Sequence, residues 1–518
     1  MITGGHMFGR IVALFLLLFA STTASAEWHE ASSENFLVIA DQNETDVREF
    51  TERLERFHSA LASILERDAT PPSPSNRVTI YVVRTAGQVQ KLAGDKSGFL
   101  RGFYQPRAGG SVAFTSRVEG QGSQISQSEQ TLFHEYAHHM MHGASEWANP
   151  RWLSEGFAEF FSTARFEKNG GVGIGLPAYH RAGELAYASN VSIEALLDSE
   201  TYKKDKSKSY DEFYGRSWLL YHYLQLSGNR KGQLTAYRLA LANGASEMEA
   251  ATQTFGDLQQ LDKELNNYLR KSRMSYVSLP GEKLRVGPIT VRKMRAGEAA
   301  IMPVVLESKR GVNEESAKLL VTKARAVAAQ HGTDSAVMAA LAEAEHDAGN
   351  YSEAVAAADK AIAADPRQVN AHVQKIYALY RIADDANADA SDTVWKSLRR
   401  AITALNKIEA DHPIPLIYYY RSLQGSGQEV SELAAHGLER ALQLAPYDQG
   451  VRWQVVAQLM NEEKWSLAYR ELLPLANDPH NRGEDNPAII MLAQIKEKLL
   501  EAEVAPAQVS PPISKSAS

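Results

Sequence analysis

The sequence predicts an α+β domain followed by an all-α solenoid of paired helices. Three observations carry that prediction. Between Trp28 and Thr115, short β-branched and aromatic runs alternate with an amphipathic stretch. Residues 273–300 then interrupt the pattern with Pro280, Gly281, Gly287 and Pro288. Beyond them an Ala-rich helical pattern runs to about residue 502 and repeats itself.

The first element is apolar, Ile11–Ala20 (IVALFLLLFA), preceded by Arg10 and followed by Ala24-Ser25-Ala26. As a helix it would measure about 15 Å, too short for a bilayer core. Residues 1–26 therefore read as a signal peptide cut after Ala26, which predicts a periplasmic or secreted chain with no stable membrane span. A domain over 27–272 comes next. Phe36–Ala40 (FLVIA) reads as a strand. Val47–Glu66 reads as a helix because Phe50, Leu54, Phe57 and Leu61 fall on one stripe, and Pro71-Pro72-Ser73-Pro74 ends it. Val78–Val83 (VTIYVV) reads as a buried strand and Ser111–Thr115 (SVAFT) as another. Helices near 127–142 and 150–166 follow, and helical spacing returns at Ser217–Leu226 and again up to Leu269. Gly170–Gly175 (GGVGIG) lacks the preceding strand and the following Lys-Ser/Thr of a phosphate loop and reads as a plain loop. Residues 273–300 read as a connector or a small hairpin.

In the helical domain, 301–502, Asp365-Pro366, Ala445-Pro446 and Asp478-Pro479 each close a segment, with His412-Pro413 between the first two. Small residues recur at matching offsets before two of these prolines: Ala342, Ala354 and Ala361, then Ser422, Ala434 and Ala441. Small side chains there let antiparallel helices approach closely, and with a period of about 34 residues the pattern resembles tetratricopeptide repeats. The copy ending at Pro413 is stretched by an insertion around Asp384–Asp392, and the one ending at Pro479 is degenerate. Residues 503–518 have the composition of a disordered tail.

Composition narrows the chemistry. The 518 residues carry 55 Lys and Arg against 62 Asp and Glu, a net charge of −7, and no Cys. Mild acidity offers no footprint for a phosphate backbone, which argues against a nucleic-acid partner. The lack of thiols excludes disulfide scaffolds, thiolate zinc sites and cysteine nucleophiles. Any site must be built from His, carboxylates, hydroxyls or a metal they hold.

One motif stands out, His134-Glu135-Tyr136-Ala137-His138, on a helix whose start is marked by Ser126 and Glu129 as a capping box. Histidines four apart lie only about 40° apart around a helix, so both imidazoles face one point. Glu135 lies beside that face, where it reaches a water held by a metal without ligating the metal. This is the arrangement of two zinc ligands and a general base. Zinc requires a third protein ligand. The metzincin solution is absent, since Met141 and Ala144 stand where its glycine and third histidine belong. His142 has drifted too far around the helix to converge easily, and His139 reads as a helix-surface or core residue. After Asn149-Pro150, a helix start, comes Trp152-Leu153-Ser154-Glu155-Gly156-Phe157-Ala158-Glu159. Glu155 and Glu159 share one face amid apolar neighbours, a costly pair to bury unless a cation faces it. Zn²⁺ would supply that charge, with Glu155 as third ligand and Glu159 bonded to the outer nitrogen of a ligand histidine.

H-E-Y-A-H followed by W-L-S-E-G-F-A-E resembles the gluzincin branch of zinc peptidases, and Trp28 to about Arg270 is similar to a bacterial peptidase-MA-like family of unknown function often joined to tetratricopeptide repeats. The resemblance implies a zincin-like fold, His134, His138 and Glu155 as zinc ligands, and Glu135 as catalytic base. It also matches Tyr214, in Phe213-Tyr214-Gly215-Arg216-Ser217, to the tyrosine that stabilises the oxyanion in the aminopeptidase class, with Tyr210 as the alternative. The sixteen-residue interval between His138 and Glu155 is shorter than in that class. Its G-x-M-E-N segment, which grips a substrate amino terminus, is also missing. Gly109–Phe114 stands there instead, an edge strand to which an extended peptide could add. Arg216 either orients a substrate carboxylate or sits in a salt bridge.

The expected function is an exported zinc peptidase acting on a peptide or protein substrate, with the solenoid groove receiving a protein partner. The competing expectation is a repeat-based interaction protein whose zincin module is structural or inactive.

Overall fold

In the computed structural model, residues 27–67, 70–117, 125–142, 149–205, 210–389, 392–476 and 486–504 are described. The N-terminal half runs β1 (Trp28–Ser32), β2 (Phe36–Asp41), α1 (Glu44–Ile64), β3 (Val78–Val83), α2 (Ala86–Ala93), β4 (Gly102–Gln105), β5 (Val112–Ser116), α3 (Gln127–His142), α4 (Arg151–Ser162), β6 (Arg165–Phe166) and β7 (Val172–Ile174). It continues through α5 (Ala182–Tyr187), α6 (Ile193–Leu197), α7 (Ser199–Asp205), α8 (Phe213–Leu226), α9 (Gln233–Ala242), α10 (Glu247–Phe255), α11 (Leu258–Leu269), β8 (Val277–Leu279) and β9 (Thr290–Lys293).

The central sheet has the order β4-β5-β3-β2-β1-β9. Its middle strands β2, β3 and β5 are parallel, in the register Phe36↔Val78 and Ile80↔Ala113, and β1, β4 and β9 pair antiparallel with their neighbours. Because side chains alternate along a strand, Phe36, Val38, Ile80, Val82 and Ala113 point to one face. There they meet Leu54, Phe57 and Leu61 of α1 and Phe133, Tyr136 and Ala137 of α3. The opposite face presents Ile39, Tyr81, Val83, Val112 and Phe114, which pack on Val89 of α2 and on Met302 and Leu306 from the helix after β9. Both faces of the parallel strands are thus covered, as parallel sheets require.

Several expectations change here. Residues 109–114 do not form the sheet edge: β5 lies between β3 and β4, and β4 is the edge on that side. The sequence hid β4 because a short edge strand such as Gly-Phe-Tyr-Gln has no apolar alternation. The helix over 150–166 ends at Ser162, where the Ser162 and Thr163 hydroxyls take the carbonyls of Glu159 (2.9 Å) and Phe160 (2.7 Å). The chain then turns into β6. Gly170–Gly175 is not a plain loop, since β7 runs through it with Val172 and Ile174 buried, at the centre of a β6-β7-β8 sheet. Gly175, at φ +76°, could not carry a Cβ, which would stand 2.3 Å from the Phe160 ring. The stretch expected as a connector or hairpin instead lends β8 to this small sheet and β9 to the large one.

The C-terminal half is a helical repeat array resembling tetratricopeptide solenoids. It comprises α12 (Ala296–Lys309), α13 (Glu314–His331), α14 (Ser335–Asp347), α15 (Tyr351–Ala364), α16 (Val369–Asp385), α17 (Thr393–Ile408), α18 (Pro413–Gly425), α19 (Glu432–Leu444), α20 (Gln449–Asn461), α21 (Trp465–Ala476) and α22 (Pro487–Val504). The six small residues singled out above are all fully buried, where the paired helices meet. The expected signal peptide, the Asp478-Pro479 step and the tail from residue 505 lie outside the described residues. Among those described, no helix is long and apolar enough to cross a membrane. Helices α14, α16, α18 and α20 line a cleft of about 780 Å³ whose other wall is the chain's own sheet and the loop Arg107–Gly110. Part of the groove expected to receive a partner therefore faces the N-terminal half.

Candidate metal centre

Helix α3 starts as the sequence predicts. The Ser126 amide donates to Glu129 (2.8 Å), and the Glu129 amide donates to the Ser126 hydroxyl (3.2 Å). Glu129 also pairs with Arg53 of α1 at 2.8 Å, out of solvent, which pins the helix to its neighbour. One face of α3 buries Phe133, Tyr136, Ala137 and Met140, and the next carries His134, Glu135 and His138, all half-buried. Helix α4 begins at Arg151, one residue after the expected Pro, and lies against α8 so tightly that a Cβ on Gly156 would stand 2.4 Å from the Ser217 carbonyl oxygen. That close approach sets Glu155 opposite α3.

The structure brings together three of the predicted residues: His134, His138 and Glu155 each offer a ligand atom, and these atoms lie within 4.8 Å of one another. The two Nε2 atoms are 3.1 Å apart, and Glu155 Oε2 is 3.4 Å from one and 3.5 Å from the other. Glu155 is 2 % exposed, and its Oε2 is buried without a hydrogen bond. An anionic oxygen left that way is expensive unless a cation sits against it. Two imidazoles and one carboxylate, converging on such an orphan oxygen, fit the donor set of a catalytic zinc ion.

Glu159, expected beside a histidine of this cluster, lies close to His134. Its Oε1 is 3.2 Å from His134 Nδ1, on the far side of the ring from Glu155. Two partners that sequence reasoning missed complete its shell: His180 Nε2 at 2.7 Å from Oε2, and Arg181, which pairs with Oε1. Both lie just before α5, at no periodic spacing from Glu159, so no sequence pattern announces them. His180 is itself bridged to α3 through Gln130, 2.8 Å away. Burial alone would raise the carboxyl pKa values of Glu155 and Glu159, yet the facing histidines, with Arg181 for Glu159, hold both well below the ordinary range. Burial likewise opposes protonation of His134, but the nearby carboxylates of Glu155 and Glu159 override it and lift the pKa to about 10. The pocket is thus built to hold positive charge between two carboxylates.

Glu135 has no hydrogen-bond or ion-pair partner among the described residues and is half-exposed. Tyr214, at the start of α8, is half-buried between Arg181 (4.8 Å from its ring centre) and Arg151 (5.6 Å). Its phenol pKa is raised by burial and then by the charge of Glu155. Tyr210 is 60 % exposed on the surface. Arg216 is buried in a salt bridge with Asp262 and lies 3.5 Å from Glu212, so of its two readings the structure shows the ion pair. His139 turns away from the cluster: its Nδ1 is 2.6 Å from the Tyr104 hydroxyl. The side chain of His142 lies outside the described residues.

A family model described as a protein of unknown function, DUF1570, matches residues 129–240, the segment from α3 into α9 that contains every one of these site residues. No curated protein matches the chain. Among solved structures, the chain is similar to TTC0263, a thermophilic TPR protein in Thermus thermophilus, at 14 % identity, over 39 % of this chain and 100 % of that one, with a TM-score of 0.31. It is also similar to MamA from Desulfovibrio magneticus, at 13 % identity over 40 % and 98 % of the two chains, TM-score 0.27. Yeast Tom70 matches at 14 % identity over 71 % and 73 %, TM-score 0.27. At these TM-scores the likenesses carry no argument, and the repeat architecture rests on the helix pairs themselves.

Proposed function

We propose that the chain is an exported zinc peptidase of the gluzincin type, with a zincin-like site domain carried on a helical-repeat scaffold. The observation behind this reading is the convergence of His134 and His138 on the orphan carboxylate oxygen of Glu155, with Glu135, unpartnered among the described residues, beside them. His134, His138 and Glu155 would hold the ion. When bound, zinc supplies Lewis acidity at a peptide carbonyl and at the attacking water. Glu135 takes a proton from that water as it attacks, and returns it to the leaving amine. Tyr214 donates its phenol hydrogen to the oxygen on which negative charge develops. Glu159, itself fixed by His180 and Arg181, holds His134 by its Nδ1–H and so sets which ring nitrogen faces the ion.

The test is metal analysis and peptide-library digestion of the purified chain beside Glu135→Gln and Glu155→Ala. Stoichiometric zinc with hydrolysis in the wild type is expected, with hydrolysis lost but zinc kept in Glu135→Gln, and zinc lost in a folded Glu155→Ala. Unchanged zinc in Glu155→Ala would sink the ligand assignment. A second reading, a repeat-based interaction protein with an inactive module, is favoured by the cleft that α14, α16, α18 and α20 form. Full zinc loading without hydrolysis of any peptide would select it.

A further inference from the structure

The turn between α19 and α20 ends on Tyr447 and Asp448, and both residues reach across to the N-terminal half. The Tyr447 ring lies 4.6 Å from the imidazole of His139, tilted by 40°. On α3 itself, the Tyr136 ring stacks on the same imidazole at 5.5 Å, and the Tyr104 hydroxyl of β4 holds its Nδ1 at 2.6 Å. Asp448 does two things at once. It caps α20 by accepting from the Val451 amide (2.9 Å), and it accepts from the Ala108 amide (2.7 Å) in the loop between β4 and β5. That β4–β5 hairpin is therefore fastened at its strand to α3, through Tyr104, and at its loop to the array, through Asp448. Helix α3, the hairpin and the array corner close a triangle.

His139 follows directly on His138, so whatever fixes the rotation of His139 fixes the candidate ligands too. A side chain at the rim of a helix sweeps about 1 Å for a 10° rotation of the helix about its axis. Metal–ligand distances tolerate only about 0.2 Å. The packing of α3 on the sheet buries Phe133 and Ala137, while the Tyr447 ring covers the flank of the helix beyond that packing.

We propose that the Tyr447–Asp448 corner is a positioning device for the metal centre: the repeat array sets the rotation of α3, and with it the convergence of His134 and His138 on Glu155. This rests on the zinc reading of that centre, but its geometry does not need the ion. It assigns the array a part in the site itself, whatever else binds to the cleft.

Hydrogen exchange on the full-length protein tests it, read over α3, β2, β3 and α14, together with zinc affinity measured by chelator competition. The variants are Tyr447→Ala with Asp448→Ala, Tyr447→Phe, and Leu433→Ala on the exposed array surface as a control. In the double variant, exchange over α3 should rise about ten-fold while β2, β3 and α14 hold, and zinc should bind about ten-fold more weakly. Tyr447→Phe keeps the ring and should return wild-type values, as should the control. The proposal is overturned by unchanged α3 exchange in the double variant, by an equal rise over β2 and β3, or by a Phe variant that behaves like the double one. Failure of the zinc reading would show separately, as a wild type without zinc, because the exchange measurement requires none.

Discussion

Glu159 draws its partners from two sides: His134 from α3, and His180 and Arg181 from the turn before α5. Removing its charge leaves Glu184 as the carboxylate facing Arg181 and weakens the acceptor facing His134 Nδ1. We expect Glu159→Gln to weaken zinc binding by about 10–100-fold in chelator competition and to lower unfolding free energy by about 3 kcal/mol in denaturant titration. Gly156→Ala should act without touching any polar group. Its Cβ would collide with the Ser217 carbonyl, so α4 must lift from α8. A loss of about 1–3 kcal/mol is expected, with weaker zinc binding because Glu155 is the next residue. At this scale the sequence was most legible where chemistry forces a helical spacing. His134, Glu135, His138 and Glu155 could be named from pattern alone, and Glu159 from its place one turn beyond Glu155. His180 and Arg181 could not, because they arrive by a turn of the chain rather than by a helical period.

Among the elements, the long amphipathic helix α1 and the apolar strands β2 and β3 were visible because their burial is one-sided or complete and therefore periodic. Among the elements that escaped, β4, β6, β8 and β9 have few buried positions, and they are strands through their partners rather than through their own composition. The hairpin between β4 and β5 gives an element-scale prediction. Gly109 sits at φ +73°, and a Cβ there would stand 2.8 Å from His412 Cε1 at the start of α18. Gly109→Ala should therefore cost about 1–2 kcal/mol in denaturant unfolding. It should also speed exchange over the Arg107–Gly110 loop, while the cap that Ser126 and Glu129 provide to α3 remains protected.

For the whole molecule, the contact between halves carries a pH dependence. His412 is completely buried, accepts from the Ile414 amide through Nδ1, and leaves Nε2 without a partner. Burial pushes its pKa down to about 4, against the opposing pull of Glu409. The folded protein keeps this ring neutral, whereas the unfolded chain protonates it near the ordinary value of about 6.5. Its contribution is therefore complete above about pH 6.5 and is lost progressively as pH falls towards 4. Denaturant midpoints measured from pH 7.5 to 4 should fall more steeply for the wild type than for His412→Asn, which can still cap α18 but does not titrate. Equal slopes would contradict the buried-histidine account. The division into two halves was readable from composition. That the halves share a wall was not, because Tyr447, Asp448 and the Arg107–Gly110 loop meet only in three dimensions.

Strand β9 pairs with β1 in the register His29↔Lys293 and Ser32↔Thr290. During synthesis, then, the first strand of the domain waits for nearly the last segment before the array to emerge before its outer edge is covered. Until that moment the nascent chain holds every residue of the candidate site and still presents an open row of backbone donors and acceptors, the usual template for misassembly between chains. The order of manufacture is thus opposed to the order of function. A product stopped at residue 272 should elute as aggregate in size-exclusion chromatography, even with its histidines and glutamates all present. Extending it through β9 and α12, which close the edge and cover the second face of the sheet, should restore a monomer.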